Sequence, residues 1–564
     1  MDPEKTHKKT TSANLSKVYR NPLFILTLIT IGITVYLLEV QMKIGVPYFD
    51  VFNYLNNALY FAGMGKSGNV LYLPPAQPIL TSLFFKMGYV SVNAIFILDS
   101  IFFVIGVIGL YLLLKQRFNE IQSFTGSLIF ISFPVVMSWA ASGGIDLPGV
   151  TLSIWAVYFT VLGVKKDSRF LYMVLPLIML AFLTRYTAGL ILLPILLYFL
   201  INSNNINNIK KIISGVLIEV VVLIGAFLFL YTKLGTAKNF YSLLLYVTTS
   251  QSVGVGDVAY NTNILYYLQN ILNYISVGPF MGTYVNILNP SGSVPSILAY
   301  ITALVVLVGL GFYVYRILNF KNMELKTDSL NIMKIVLLII LIAGFIISFN
   351  NVSYVISEII FFSICYLSYL LLKNSKTRNI DLDVMFFSWF GAYLIFQSIL
   401  PLKVDRYFIT MTPAFAYFII LGLSEFIDRI KPRIKNKNLR SWGIYSIIAL
   451  IFLSSATATY IGHTPKKCFT LDIGEASSWL KDYDPDYKDK IIYSDYQPAV
   501  SWYLKRATNG GFPIYLTKTI LYSKLLQKNN VDYYIDSLSE PKPDLEGYHI
   551  IKNINNIAIY EKNR

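Results

Sequence analysis

Six charged side chains stand at the ends of long apolar runs: Asp50 in VPYFDVF, Asp146 in SGGIDLPGV, Arg185 in LTRYTAG, and Lys403, Asp405 and Arg406 in LPLKVDRYFI. Together they suit one kind of chemistry. Cations hold an oxyanion such as phosphate, arginine bidentately through its planar fork, while a carboxylate within hydrogen-bond reach deprotonates an attacking hydroxyl. Hydrolysis of a glycoside needs paired carboxylates, one acid and one base. Displacement of an already good phosphate leaving group needs only one. The plain alternative is that each charge sits at a span end and reaches for the interface. That explanation serves for any one of the six better than for a group of both signs on one membrane face.

The elements that must position them are membrane-spanning helices. Of 564 residues, 55% are hydrophobic, 15% aromatic and 14% charged, with the charges gathered between apolar runs. That is the composition of a polytopic membrane protein. A span needs about 20 apolar residues. Thirteen segments come close: 23–41, 94–114, 123–141, 147–164, 170–184, 187–202, 212–231, 295–317, 333–349, 355–372, 383–401, 407–427 and 441–461. The pair 170–184 and 187–202 is short, so eleven to thirteen spans are expected. The first apolar run follows a polar tail and lacks a small-residue cleavage site, so no cleavable signal peptide is expected.

The net charge of +16 has a topological cause. Alternate loops hold the basic clusters, within 5–20, 115–117, 165–169, 210–211, 316–334, 373–378 and 429–440. The positive-inside bias therefore puts the N-terminus in the cytoplasm and all six charged groups on the opposite face. Nucleic-acid binding is not needed to account for the charge. Cys365 lies in an expected span and Cys468 beyond the last one, so no disulfide framework is expected. His7, His463 and His549 are too scattered for a zinc site of ordinary spacing.

Three stretches outside the spans are long: 44–93, 232–294 and 462–564. In the first, Phe52, Leu55, Leu59 and Ala62 share one helical face and Asn53, Asn56 and Asn57 surround the other, the pattern of an interfacial helix. LYLPPAQPILTSLFFKMG follows, with Pro74, Pro75 and Pro78 at its entry and too short an apolar pattern to cross. In the second stretch, Ile264, Leu265, Leu268, Ile271, Leu272 and Ile275 predict a helix lying on the membrane. From His463 the pattern becomes that of a soluble module. IGEASSWLKDY and PAVSWYLKR read as helices, KIIYSD and VDYYIDS as strands, and YHIIKNINNIAIYEK as a hairpin. The expected organisation is a transmembrane domain, 1–462, followed by an extracytoplasmic α/β or α+β domain, 463–564. Asn509–Gly511 lacks the spacing of a nucleotide-binding glycine motif. No internal repeat is visible.

The order of these motifs resembles the GT-C superfamily of membrane glycosyltransferases. An acidic first external loop, a PP-containing helix, D-L-P opening a span, T-R-Y-T-A-G and a late K-x-D-R-Y carry the likeness. It is nearest to the branch of protein O-mannosyltransferases and lipid A aminoarabinose transferases, and is densest over 46–200 and 400–413. The resemblance implies transfer of a sugar from a polyprenyl- or dolichyl-phosphate donor to an extracytoplasmic hydroxyl, with inversion. It implies Asp50 and Asp146 as catalytic acids and Arg185, Lys403, Arg406 and Tyr407 around the donor phosphate. A divalent metal is left open. So are the sugar and the acceptor, whether protein, glycolipid or lipid-linked glycan. A transporter or flippase would need polar groups near mid-membrane, for which Asp99 and Glu358 are the candidates. An oligosaccharide ligase or polymerase is a further alternative, although its W-W-D signature is absent from the chain.

Overall fold

The computed structural model of the chain describes residues 21–46, 48–65, 73–203, 213–221, 224–225, 263–278, 290–318, 329–373, 379–400, 403–430, 437–461, 468–510 and 519–563. The basic cluster at 5–20, most of the expected span 212–231, the stretch 232–262, His463 and Gly511 lie outside them.

Long apolar runs become helices because no other structure satisfies every backbone polar group within one lipid-embedded segment. The chain opens with α1 (Pro22–Ile44), α2 (Phe49–Phe61), α3 (Ala76–Lys86), α4 (Asn93–Leu114), α5 (Glu120–Ser132) and α6 (Pro134–Trp139). It continues with α7 (Asp146–Lys165), α8 (Val174–Thr184), α9 (Leu192–Asn202), α10 (Tyr266–Gln269) and α11 (Ile271–Ile275). Five long helices follow, α12 (Ile297–Leu318), α13 (Ser329–Ser348), α14 (Tyr354–Leu372), α15 (Ile380–Ile399) and α16 (Thr412–Ile430), and then α17 (Lys437–Ile461). The terminal elements are α18 (Phe469–Tyr483), β1 (Ile492–Ser494), α19 (Gln497–Leu504), β2 (Asn509–Gly510), α20 (Thr519–Lys528), β3 (Tyr533–Asp536), β4 (Tyr548–Ile554) and β5 (Ile557–Lys562).

Among the described residues, nine helices are long and apolar enough to cross a membrane, and Ser168–Thr184 and Tyr186–Asn202 are shorter apolar helices. The protein is a multi-pass membrane protein. The expected span 123–141 is instead divided. Asn119 caps α5 through a capping box with Gln122, but Phe133 (φ −61°, ψ 127°) leaves the helical region. Pro134, which has no N–H and crowds the residue before it, is the cause.

The structure resolves into two units. The first comprises Met1–Tyr36, Ile101–Ala140 and Ile145–Thr464. Its centre is aromatic: Phe386 stacks on Tyr417 at 3.8 Å. Helices α12 and α16 meet backbone to backbone, since a Cβ on Gly309 would come within 1.9 Å of the Gly422 carbonyl oxygen. Small residues permit this approach, which in a membrane supplies the packing that the hydrophobic effect does not. Buried Asp383 accepts hydrogen bonds from Arg117 Nε at 3.1 Å and from the Tyr313 and Tyr417 hydroxyls.

The second unit comprises Leu37–Ser100, Ala141–Gly144 and Pro465–Arg564. Its five-stranded sheet has the order β2-β1-β3-β5-β4. Strands β2, β1 and β3 are parallel, with α19 and α20 as crossovers, and the terminal hairpin adds β5 and β4 antiparallel. Helix α2 does not present its apolar face to lipid. Phe52 packs against Tyr503 at 5.8 Å, Asn56 Nδ2 donates to the Pro498 carbonyl at 2.8 Å, and Phe85 of α3 meets Trp502 at 5.7 Å. Asp99 is also consumed structurally: its oxygens accept from Gln77 Nε2 at 3.0 Å and the Gly143 amide at 2.8 Å. The Pro-Pro-Ala-Gln motif thereby anchors α3 to α4.

Candidate functional site

Four helix ends of the first unit converge on one charged cluster. Asp146 lies in the first turn of α7, where a carboxylate complements the helix dipole and Pro148 is tolerated because its missing N–H would be unpaired anyway. Gly149 lets α7 approach the turn after α8, for a Cβ there would stand 3.0 Å from Arg185 Cβ. Arg185 is extended (φ −148°, ψ 114°) between α8 and the 3-10 turn Tyr186–Ile191. Its guanidinium forms an ion pair with Asp146. Its Nε also donates to Thr187 Oγ1 at 2.7 Å. Both partners are buried, Asp146 at 1% and Arg185 at 5% exposure. Tyr393 of α15 secures the turn by donating its hydroxyl to the Ala188 carbonyl at 3.0 Å.

The late motif enters through the 3-10 helix Asp405–Met411. Two guanidinium groups lie against the Tyr407 ring, with Arg185 Cζ 5.0 Å and Arg406 Cζ 5.7 Å from its centroid. Arg406 also lies 5.5 Å from the ring centroid of Trp139, the last residue of α6. Arg406 and Tyr407 are half-buried. The arrangement joins one cation already neutralised by a buried acid to a second, more accessible cation held against aromatic faces. A guanidinium against aromatic faces in a setting of reduced dielectric suits an oxyanion.

Of the residues expected from sequence, Asp146, Arg185, Arg406 and Tyr407 are brought together. Lys403 has other partners: its ammonium donates to the Ser398 carbonyl at 2.8 Å and to the Leu400 carbonyl, closing the end of α15. Burial lowers its pKa to about 8. Asp50 belongs to the second unit, half-buried in the first turn of α2, where Phe49 meets Tyr496 edge-on at 5.2 Å. Among the described residues, no group of three or more His, Cys, Asp or Glu side chains is placed to hold a metal.

Asp405 is a structural anchor that sequence reasoning left without a role. Its Oδ1 accepts from the Tyr266 and Tyr274 hydroxyls, both at 2.8 Å, and its Oδ2 from the Ser291 amide at 2.8 Å. Burial, with the Asp405 charge second, raises both tyrosine pKa values, so both act as donors at neutral pH. The expected single helix at 264–275 is two short ones, broken at Asn270. Its buried side carries Tyr267, Asn273 and Tyr274, while Leu265 and Leu268 are exposed. The available signal was the Tyr266–Tyr274 spacing of eight residues, about two helical turns. Trp139 carried no comparable signal, because the proline break sets its place.

Residues 73–231 match the family described as dolichyl-phosphate-mannose-protein mannosyltransferase. This stretch includes Asp146 and Arg185. No curated protein matches the chain in sequence. The crystal structure of ArnT from Cupriavidus metallidurans bound to undecaprenyl phosphate is similar, with a TM-score of 0.55 at 12% identity, covering 95% of this chain and 97% of that one. The Archaeoglobus fulgidus oligosaccharyltransferase in its apo form gives 0.50 at 12% identity, covering 91% of this chain and 69% of that one. The chain therefore has the fold of these two structures, in agreement with the fold expected from the motifs.

Proposed function

We propose that the protein is a membrane glycosyltransferase that moves a sugar from a polyprenyl-phosphate donor to a hydroxyl acceptor outside the cytoplasm. The observation that carries this reading is the pair of guanidinium groups about the Tyr407 ring, within a GT-C fold whose relative ArnT was crystallised with undecaprenyl phosphate. Arg406 holds the donor phosphate, and Arg185, oriented by Asp146, supports it beside the same ring. Asp146 thus acts by aiming a cation. Lys403 fixes the end of α15. Asp50 is the base: it takes the proton of the acceptor hydroxyl as that oxygen bonds to the anomeric carbon. The bond from that carbon to the phosphate oxygen breaks, and polyprenyl phosphate departs with the electron pair. Attack opposite the leaving group inverts the anomeric centre. The distribution of basic loops supports a cytoplasmic N-terminus and an extracytoplasmic C-terminal module.

Binding of undecaprenyl phosphate to the purified protein tests the phosphate assignment, and Asp50→Asn tests the base. Expected are wild-type binding, a clearly raised but still measurable Kd in Arg406→Ala, and a folded, lipid-binding but transfer-dead Asp50→Asn. Full sugar transfer in Asp50→Asn removes that residue from the mechanism.

A further inference from the structure

Resting on the lipid-phosphate reading above, we infer that Asp405 is a positioning residue, its carboxylate tying the segment that carries Tyr266, Tyr274 and Ser291 to the turn that presents Arg406 and Tyr407. The geometry follows from the 3-10 helix Asp405–Met411. With three residues per turn, side chains at i and i+3 eclipse, so Asp405 and Phe408 share one side and Arg406 and Tyr407 take the other two. The shared side is held completely. Asp405 is 1% exposed and receives the Tyr266, Tyr274 and Ser291 donors. Phe408 stacks on the Tyr274 ring at 4.0 Å with an interplanar angle of 17°. The preceding carbonyl, Val404 O, accepts from the Tyr267 hydroxyl at 3.3 Å and from the Tyr407 amide at 3.0 Å. Residues 404, 405 and 408 are thus clamped by Tyr266, Tyr267 and Tyr274, while Arg406 and Tyr407 between them turn to Trp139 and Arg185.

An acid next to a phosphate-binding arginine would ordinarily weaken anion capture. Here its oxygens are committed to three donors of the segment, and it serves to fix the turn. Charge-assisted bonds of this kind are roughly twice as strong as neutral ones. Reactive groups must also be held to within a fraction of an ångström of productive geometry. The segment therefore sets the register of the anion site, and displacement of either tyrosine from Asp405 misaligns Arg406.

The test uses the full-length protein in detergent, with undecaprenyl phosphate as probe and thermal unfolding as control. Tyr266→Phe/Tyr274→Phe keeps both rings and their packing but removes both hydroxyl donors. It should raise the Kd for undecaprenyl phosphate about tenfold, the effect of losing bonds to a charged group. The same pair placed on Arg406→Ala should add less than about a twofold loss, because the tyrosines act only through Arg406. A lowered melting temperature with unchanged Kd in the folded fraction overturns the inference while leaving the donor assignment intact. Failure of the wild type to bind undecaprenyl phosphate overturns the donor assignment and this inference with it.

Discussion

Replacing Asp146 by leucine severs the ion pair that aims Arg185, and the structure allows the cost to be worked out. Both side chains are buried, at 1% and 5% exposure, so neither charge has water to fall back on. At about 4 Å and an effective dielectric near 20, the attraction is about 4 kcal/mol. Removing one member of such a pair strands the other and costs about 3–5 kcal/mol. Arg185→Met should cost a similar amount by stranding Asp146. The double variant Asp146→Leu/Arg185→Met has no stranded charge, and buried pairs replaced by apolar side chains are often close to neutral. It should therefore be no less stable than either single variant, with a coupling of about 3 kcal/mol or more. Denaturant titration of the purified protein in detergent, followed by tryptophan fluorescence, measures all four corners of the cycle. Strict additivity, or a cost below about 1 kcal/mol for Asp146→Leu, would refute the claim that Asp146 holds Arg185 in a dry ion pair.

Three further outcomes follow from particular contacts. Gly309→Ala places a Cβ within 1.9 Å of the Gly422 carbonyl oxygen and should force α12 from α16, destabilising the protein by roughly 2–3 kcal/mol in the same titration. Lys403→Met should leave undecaprenyl phosphate affinity within about twofold, since the ammonium is engaged by the end of α15, and a large rise in Kd would return Lys403 to the phosphate site. Burial, with neighbouring Asp536 second, raises Asp495 to about 6. The folded form therefore holds this proton more tightly than the unfolded chain, whose carboxyl titrates near 3.9. Its contribution is fully present below about pH 4, is lost as pH rises to about 6, and is constant above that. Thermal unfolding from pH 4 to 7 should show this decline, and Asp495→Asn should flatten it.

Much of this fold was legible because the bilayer imposes a simple code. Runs of about 20 apolar residues had to be helices. The terminal module was likewise readable from alternation and turns, apart from α20 and the two-residue β2. What escaped depended on packing between distant segments. The division of 123–141 was written in Phe133-Pro134, yet an apolar run reads as one span until the proline is weighed against it. The apolar face of α2 suggested a lipid surface, whereas Tyr503 of α19 covers Phe52. In the site, Arg185 and Arg406 were visible as charges at span ends. Their shared ring, the Asp146 pair and the tyrosine clamp on Asp405 were not, because each joins residues far apart in sequence. Lys403 looked equivalent to Arg406 three residues away, but a flexible ammonium beside a helix C-terminus finds carbonyl partners there.

The proposed donor of this chain is a polyprenyl-phosphate sugar. Mass spectrometry of polyprenyl-phosphate-linked sugars, glycolipids and protein glycans, comparing cells with and without the gene, tests it most directly. One lipid-phosphate sugar should accumulate in the deletion while one glycan or glycolipid loses a single sugar residue. The wild-type gene, but not Arg406→Ala, should restore the pattern. Identical profiles with and without the gene would contradict it.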